Sequence, residues 1–284
     1  VIITRVDRDM RFGLKVNPGT WAEAAHWAGF AEEAGFDGLW TGDNMRHPRD
    51  PAIPVHDGPT IIAAWAATTT RIRVGVLIAN VVFRRPTVLA KQAVTLDHVS
   101  GGRFDLGIGS GVWPTDHGMS GVPTWEPKER AERLTEFVGV VDRLLSGDVS
   151  DHDGPYYPYS KAAMTPAPIQ SRIPLIVAAN ASKALAVAAE HGDGWVTFPG
   201  AASETDFHQA SIERIRVLDE LRQKPQRRIL LAYGSITPWA SQNAFARLVE
   251  RYASIGFDEM VCYAPKPEER AVFDKVVARL ADFR

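Results

Sequence analysis

Residues 72–111 read IRVGVLIANVVFRRPTVLAKQAVTLDHVSGGRFDLGIGSG, and the fold is decided in them. The run 72–79 is apolar almost throughout, as a parallel strand buried on both faces must be. Arg84, Arg85 and Pro86 break it, and Pro86 suits the first turn of a helix. That helix, expected over 86–99, has Val88, Leu89, Ala93 and Leu96 at helical spacing as its buried face. Ser100-Gly101-Gly102 stops it, because glycine takes the left-handed cap without steric cost. A second strand over 103–108 ends in Gly109-Ser110-Gly111. Two buried parallel strands joined by a helix make a β-α-β unit.

The same alternation runs outward in both directions. Strands are expected at 11–16, 37–42, 72–79, 103–108, 173–178, 194–198, 228–236 and 258–263. Helices fall at 19–34, 57–69, 86–99, 126–146, 182–191, 203–223, 241–254 and 267–282. Eight strands, each followed by a helix, are the count of an α/β protein of the (β/α)8 TIM-barrel class. A doubly wound open sheet is the rival, and the absence of a strand-rich remainder disfavours it. AEEAGFDGLW at 31–40 recurs loosely as ASIGFDEMVC at 253–262. In each, a glycine ends a helix and Phe-Asp opens a strand, so β-α units of one kind stand at both ends.

Length and composition agree. The chain has 284 residues, 45% of them hydrophobic, enough for one barrel domain over 1–284 with loop insertions. Its net charge of −2 comes with no basic block, which excludes nucleic acid as an expected partner. One cysteine, Cys262, excludes an internal disulfide and suits a reducing, cytoplasmic location. No apolar run has the length of a membrane span. VIITRVDRD lacks the apolar core of a signal peptide, and Met10 is a candidate natural start. Two connections are long: 43–56, at the expected C-terminal mouth, and 147–172, read as a surface hairpin or a contact between subunits.

The stretch from Arg85 to Gly111 carries RP-x-x-LAK-x-A-x-TLD-x-xSGGRF-x-LGIG-x-G. It resembles the luciferase-like monooxygenase superfamily, the bacterial luciferase-type flavin enzymes and their coenzyme F-420-dependent relatives. The resemblance extends from AEEAGFDGLW to the GDGW at 192–195 and beyond. It implies a barrel oxidoreductase that binds FMN or coenzyme F-420 at the C-terminal mouth and acts on a small-molecule substrate, commonly as a homodimer.

Candidate site residues follow from position and from that resemblance. Asp43 and Asn44 end strand two, and a carboxylate there can orient a cofactor or relay a proton. The family carries an acidic residue followed by a proton-transferring His; here Asn44 stands in the second place and does not titrate. His47 is a nearby substitute. Resemblance puts a bulge with a cis non-proline peptide at Leu77-Ile78, pressed against the flavin-type ring, with Ala79 and Asn80 beside it. Gly109, Ser110 and Gly111 permit close approach of a ligand to the backbone. Val112 stands where related sugar dehydrogenases have an acidic Glu, so that activity is not carried over. Trp113 is a pocket wall or a buried structural residue.

Ala179, Asn180, Ala181 and Ser182 open a helix whose free amides and dipole suit a phosphate. Asn180 or Ser182 as N-cap is the plainer alternative. No spacing suits a metal, and neither a G-x-S-x-G elbow nor a P-loop is present. A cofactor-binding barrel without turnover, or a metal-dependent barrel lyase or hydrolase, are the rival functions.

Overall fold

The computed structural model describes residues 9–47, 50–147 and 149–284. The N-terminal stretch read above for a signal peptide, and the extension before Met10, lie almost wholly outside the described residues. In chain order the elements are β1 (Arg11–Lys15), α1 (Trp21–Glu33), β2 (Gly38–Thr41), α2 (Gly58–Thr68), β3 (Arg73–Asn80), α3 (Pro86–Ser100) and β4 (Phe104–Gly109). There follow α4 (Pro114–Met119), α5 (Pro127–Leu145), β5 (Ser150–His152), β6 (Tyr159–Ala162), β7 (Leu175–Ala178) and α6 (Ser182–His191). The chain ends with β8 (Gly194–Thr197), α7 (Glu204–Leu221), β9 (Arg227–Ala232), α8 (Gln242–Ala253), β10 (Glu259–Tyr263) and α9 (Arg270–Val277).

Strands β1, β2, β3, β4, β7, β8, β9 and β10 close into a parallel barrel, with β1 pairing β10 to seal it. These are the eight strands expected from the sequence. β5 and β6 form a separate antiparallel hairpin inside the long connection after α5. Among the described residues no helix is long and apolar enough to cross a membrane.

The local reasons are visible. α1 starts at Thr20, whose hydroxyl accepts the Glu23 N–H, and α3 stops at Gly101, which has φ 64°. The echoed segments behave alike: Gly35 and Gly256 take φ 79° and 95°, and the next residues, Phe36 and Phe257, bury beneath the barrel. Their amides reach back to the carbonyls of Ala31 and Tyr252, closing both helices in the same way.

Inside the barrel, Trp40 fills the floor. A Cβ on Gly13, Gly38 or Gly75 would stand 2.7, 2.7 or 2.4 Å from its ring, so the three glycines exist to admit the indole. Below it lies a buried ionic layer. Asp105 accepts from Arg73 Nη2 at 2.6 Å and Arg227 Nη2 at 2.9 Å, and Arg227 stands 3.5 Å from Glu259. Burial alone would raise the Asp105 carboxyl, but the two guanidinium groups overcome it and hold it low. The cavity therefore has a closed floor and one open end.

Three expectations need correction, and one element is new. Val88 is 49% exposed, because the buried stripe of α3 runs through Leu89, Ala90, Ala93 and Val94, and Val88 falls on the outward face. The strand expected over 228–236 ends at Ala232, since Gly234 turns the chain with φ 66°. The helix expected over 267–282 is broken into a short turn, α9 and a final turn. α4 had not been expected at all; its sequence, PTDHGM, has no apolar period.

Candidate active site

Because the barrel strands are parallel, their C-terminal ends share one mouth. A cavity of about 670 Å³ opens there, and every barrel strand contributes its last residues or the residue just after.

The β3 wall is irregular. The Leu77-Ile78 peptide is cis, and the pairing of β3 with β4 shifts register between Val76 and Ala79. Leu77 and Ile78 line the cavity, whereas Ala79 is fully buried in the core behind the strand. Gly109 lines the cavity, but its missing side chain makes room first of all for Ile78. A Cβ there would lie 2.1 Å from Ile78 Cδ1, so the space over Gly109 holds that side chain. Gly111, at φ 67°, similarly makes room for Asn80 and Val82. Ser110 and Gly111 line the cavity beside them.

A chain of polar groups ties this wall to its neighbours. Asp43 accepts from both guanidinium nitrogens of Arg84, the longer bond being 3.1 Å, and from the Asn80 N–H at 3.0 Å. Its carboxylate is committed to fixing the loop after β2 against β3. Asn80 donates its amide to Asp116 Oδ2 at 2.8 Å and accepts from the Val82 N–H at 3.0 Å. Asp116, at the start of α4, is fully buried, lines the cavity, and leaves Oδ1 without a protein partner. Burial pushes its carboxyl up to about 6, against the opposing hydrogen bond from Asn80. The neighbouring His117 is held between the carbonyls of Gly111 and Pro123.

In the loop after β2, next to this wall, Asn44 and His47 also line the cavity, and His47 Nδ1 accepts the Asp50 N–H at 3.1 Å. Trp113 is 38% exposed and lines the cavity, so it is a wall and not a core residue. Phe198, Tyr233, Trp239 and Tyr263 complete an aromatic rim.

Residues 179–182 lie outside the cavity lining, at the open N-terminus of α6. Ala181 is the N-cap, so no side chain caps this helix, contrary to the reading of Asn180 or Ser182 as cap. The Asn180 side chain instead bridges to β8, donating to Phe198 O at 2.9 Å and accepting from Thr197 Oγ1 at 2.7 Å. Arg214 reaches in from α7 to Asn180 O and Thr197 Oγ1, each at 3.2 Å. Among the described residues no carboxylate pairs with Arg214.

Sequence reasoning missed three residues here. Arg214 and Asp116 carry no local signal, since their partners lie on other elements. Lys15 had one: it is a lysine inside the apolar run RFGLKV. It ends β1, is 3% exposed and lines the cavity, and burial pulls its amine down to about 7.

A closed parallel barrel with a part-apolar, part-titratable cavity at its C-terminal mouth has the arrangement in which barrel enzymes bind their ligands. Comparison with known proteins narrows it. The model of the luciferase-like monooxygenase family matches residues 9–278, and the chain belongs to that family. An uncharacterised protein of Mycobacterium tuberculosis is 34% identical over 202 residues, which are 66% of this chain and 68% of that protein. The F420-dependent glucose-6-phosphate dehydrogenase of Beutenbergia cavernae is 29% identical over 198 residues, 69% of this chain and 58% of that one. Among solved structures, an F420-dependent secondary alcohol dehydrogenase, in complex with an F420-acetone adduct, superposes with a TM-score of 0.84 at 16% identity. That match covers 97% of this chain and 99% of the other and speaks for the fold.

Proposed function

We propose that this chain is an oxidoreductase that holds a flavin-type cofactor, coenzyme F-420 or FMN, at the barrel mouth and acts on a small organic substrate there. The observation that carries the reading is the cavity. Its floor is closed and one wall is apolar; beyond Ala178 and Phe198, outside the lining, stand the uncapped N-terminus of α6 and Arg214, which no carboxylate pairs among the described residues. A ring with a phosphate-bearing tail needs those features together.

The residues present fit such a group. Leu77 and Ile78 offer a face for the ring. Asp116 Oδ1 is a buried polar atom still lacking a partner, suited to the ring's polar edge. The first amides of α6 and the Arg214 guanidinium suit a phosphate. When bound, the cofactor supplies hydride or oxygen chemistry. Trp113, Phe198 and Trp239 keep water from the reacting atoms, and Asp43 holds the β2 and β3 loops in register through Arg84. The deazaflavin is placed first because the Beutenbergia relative carries it in its name.

Titrating the purified protein with each cofactor, followed by absorbance, tests the reading. We expect saturable binding of one of them, weakened about 10- to 100-fold in Arg214→Met by loss of a charge-assisted contact to phosphate. No binding of either cofactor would overturn it. We further propose a homodimer through α2 and α3, whose outward groove is lined by Pro59, Ala63, Val88 and Leu96. Sedimentation giving only a 31.2 kDa species at micromolar concentration would count against it.

A further inference from the structure

Among the described residues no side-chain hydrogen bond or ion pair explains Lys15. Its Nζ lies 5.3 Å from the centre of the Tyr263 ring, inside the cavity. A Cβ on Gly42 would meet Lys15 Nζ at 3.2 Å, Asn44 Oδ1 at 2.9 Å and Asn17 Oδ1 at 3.2 Å. The amine and two amide oxygens thus converge on one point of the wall between β1 and β2. Asn17 Oδ1 already accepts the Gly42 N–H at 2.9 Å.

The ionisable groups sharing the cavity do not neutralise the amine. Asp43 is bound by Arg84, Asp116 by Asn80, and Glu269 takes the Lys266 backbone N–H. His47 accepts from Asp50, and burial raises the Tyr263 phenol, which stays neutral. Tyr233 and Lys266 stand on the rim. Among the described residues no ion pair reaches Lys15. A buried ammonium without a counter-ion is unfavourable, so burial shifts the amine toward its neutral form, while the Tyr263 ring face favours the cation. Burial is the larger effect, and the amine is drawn down to about 7. A group balanced in this way can take up and return a proton near neutrality.

We propose that Lys15 is the proton-transfer residue of this site, acting on the oxygen of a small alcohol or ketone substrate. The proposal rests on the oxidoreductase reading above. In the oxidising direction the neutral Lys15 amine takes the hydroxyl proton of a secondary alcohol. The O–H electron pair becomes the second bond of the C=O, and the carbinol hydrogen leaves with its electron pair as hydride, for which an oxidised deazaflavin held at the mouth would be the acceptor. In the reducing direction the Lys15 ammonium returns the proton to the carbonyl oxygen as hydride arrives at carbon. Asn44, beside the amine, is placed to steady it or the substrate oxygen without titrating.

Two measurements test this. The first is an NMR titration of ligand-free protein labelled with [13Cε]lysine, with Lys15→Met identifying the Lys15 signal. That signal should titrate near 7, where an ordinary lysine titrates at about 10.4. The second is single-turnover reduction of bound coenzyme F-420 by propan-2-ol or cyclohexanol, followed by absorbance across neutrality. The parent rate should rise with pH as Lys15 deprotonates. Lys15→Met should bind the cofactor as the parent does, yet lose about 100- to 10,000-fold in rate together with that limb. Lys15→Arg should not restore it, because guanidinium stays protonated.

A Lys15 signal that titrates like an ordinary lysine overturns the proposal. So does a Lys15→Met enzyme that keeps the parent pH profile, or a parent that binds either cofactor yet, with that cofactor bound, oxidises neither alcohol. A parent that binds neither FMN nor the deazaflavin overturns the oxidoreductase reading itself and takes this proposal with it.

Discussion

Replacing Lys15 with methionine should stabilise the protein, and by an amount that depends on pH. The side chains are similar in length, and Met packs against apolar and aromatic walls without needing a counter-ion. In the folded protein the amine titrates at about 7, against 10.5 for the unburied group. Between those values the unfolded chain binds more protons than the folded one. Stability attributable to Lys15 therefore rises with pH through this window, and the penalty is greatest at and below neutrality. Integrating the linkage relation puts that penalty at about 4 kcal/mol at pH 7 and about 2 kcal/mol at pH 9. The stability advantage of Lys15→Met over the parent should thus shrink by about 2 kcal/mol between those pH values. Pairs of urea titrations with matched m-values read this difference, and contributions that do not vary with pH cancel from it. Parallel stability curves for the two proteins would show that Lys15 keeps an ordinary pKa, and the argument from its burial would fail.

Asp116→Asn carries the opposite sign. Its carboxyl is raised from 3.8 to about 6, so the parent is favoured while Asp116 is protonated and loses that contribution as pH rises through 6. Above pH 6 the variant should be the more stable, by up to about 3 kcal/mol, and the gap should close toward pH 4; urea titrations at both ends check it. Gly75→Ala should cost about 1–3 kcal/mol or more, since the new methyl meets the Trp40 ring at 2.4 Å and the ring is hemmed in by Gly13 and Gly38. A thermal melt unchanged from the parent would show that the floor is looser than these contacts imply.

The barrel was legible because its strands are buried on both faces, which writes continuous apolar runs into the chain. Helix ends were legible where a glycine must take positive φ, as at Gly101 and Gly256. The bulge at Leu77-Ile78 was legible only through resemblance, since an apolar run reads the same whether or not its register slips. Gly109 shows the limit of reading residue by residue. Glycine at a strand end marks a close approach, but not by what, and here the visitor is Ile78. Lys15 and Asp116 were passed over for a related reason. A lysine at the end of a strand usually reaches water, but this one is buried, with the Tyr263 ring and the turn at Gly42, both distant in sequence, close to its amine. Asp116, on α4, is held by Asn80 at the end of β3.

The polar residues of the mouth divide by whether their partners leave them free to change charge. Asp43 was the natural candidate for proton transfer, being a carboxylate at the end of a barrel strand. With Arg84 on both oxygens and the Asn80 amide besides, protonating it would break an ion pair and uncouple two loops. Its placement suits holding geometry. Asn80 is similarly used up between Asp116 and Val82. What these bonds secure is the shape of the β3 wall and the orientation of Asp116. Lys15 stands on the other side of the Asp43 loop with no such commitment, and its two protonation states are close in free energy at neutral pH. The mouth thus separates rigidity from acid–base chemistry: the carboxylate that looks reactive in the sequence fixes the walls, and the lysine that looks like a solvated strand end is the group able to exchange a proton.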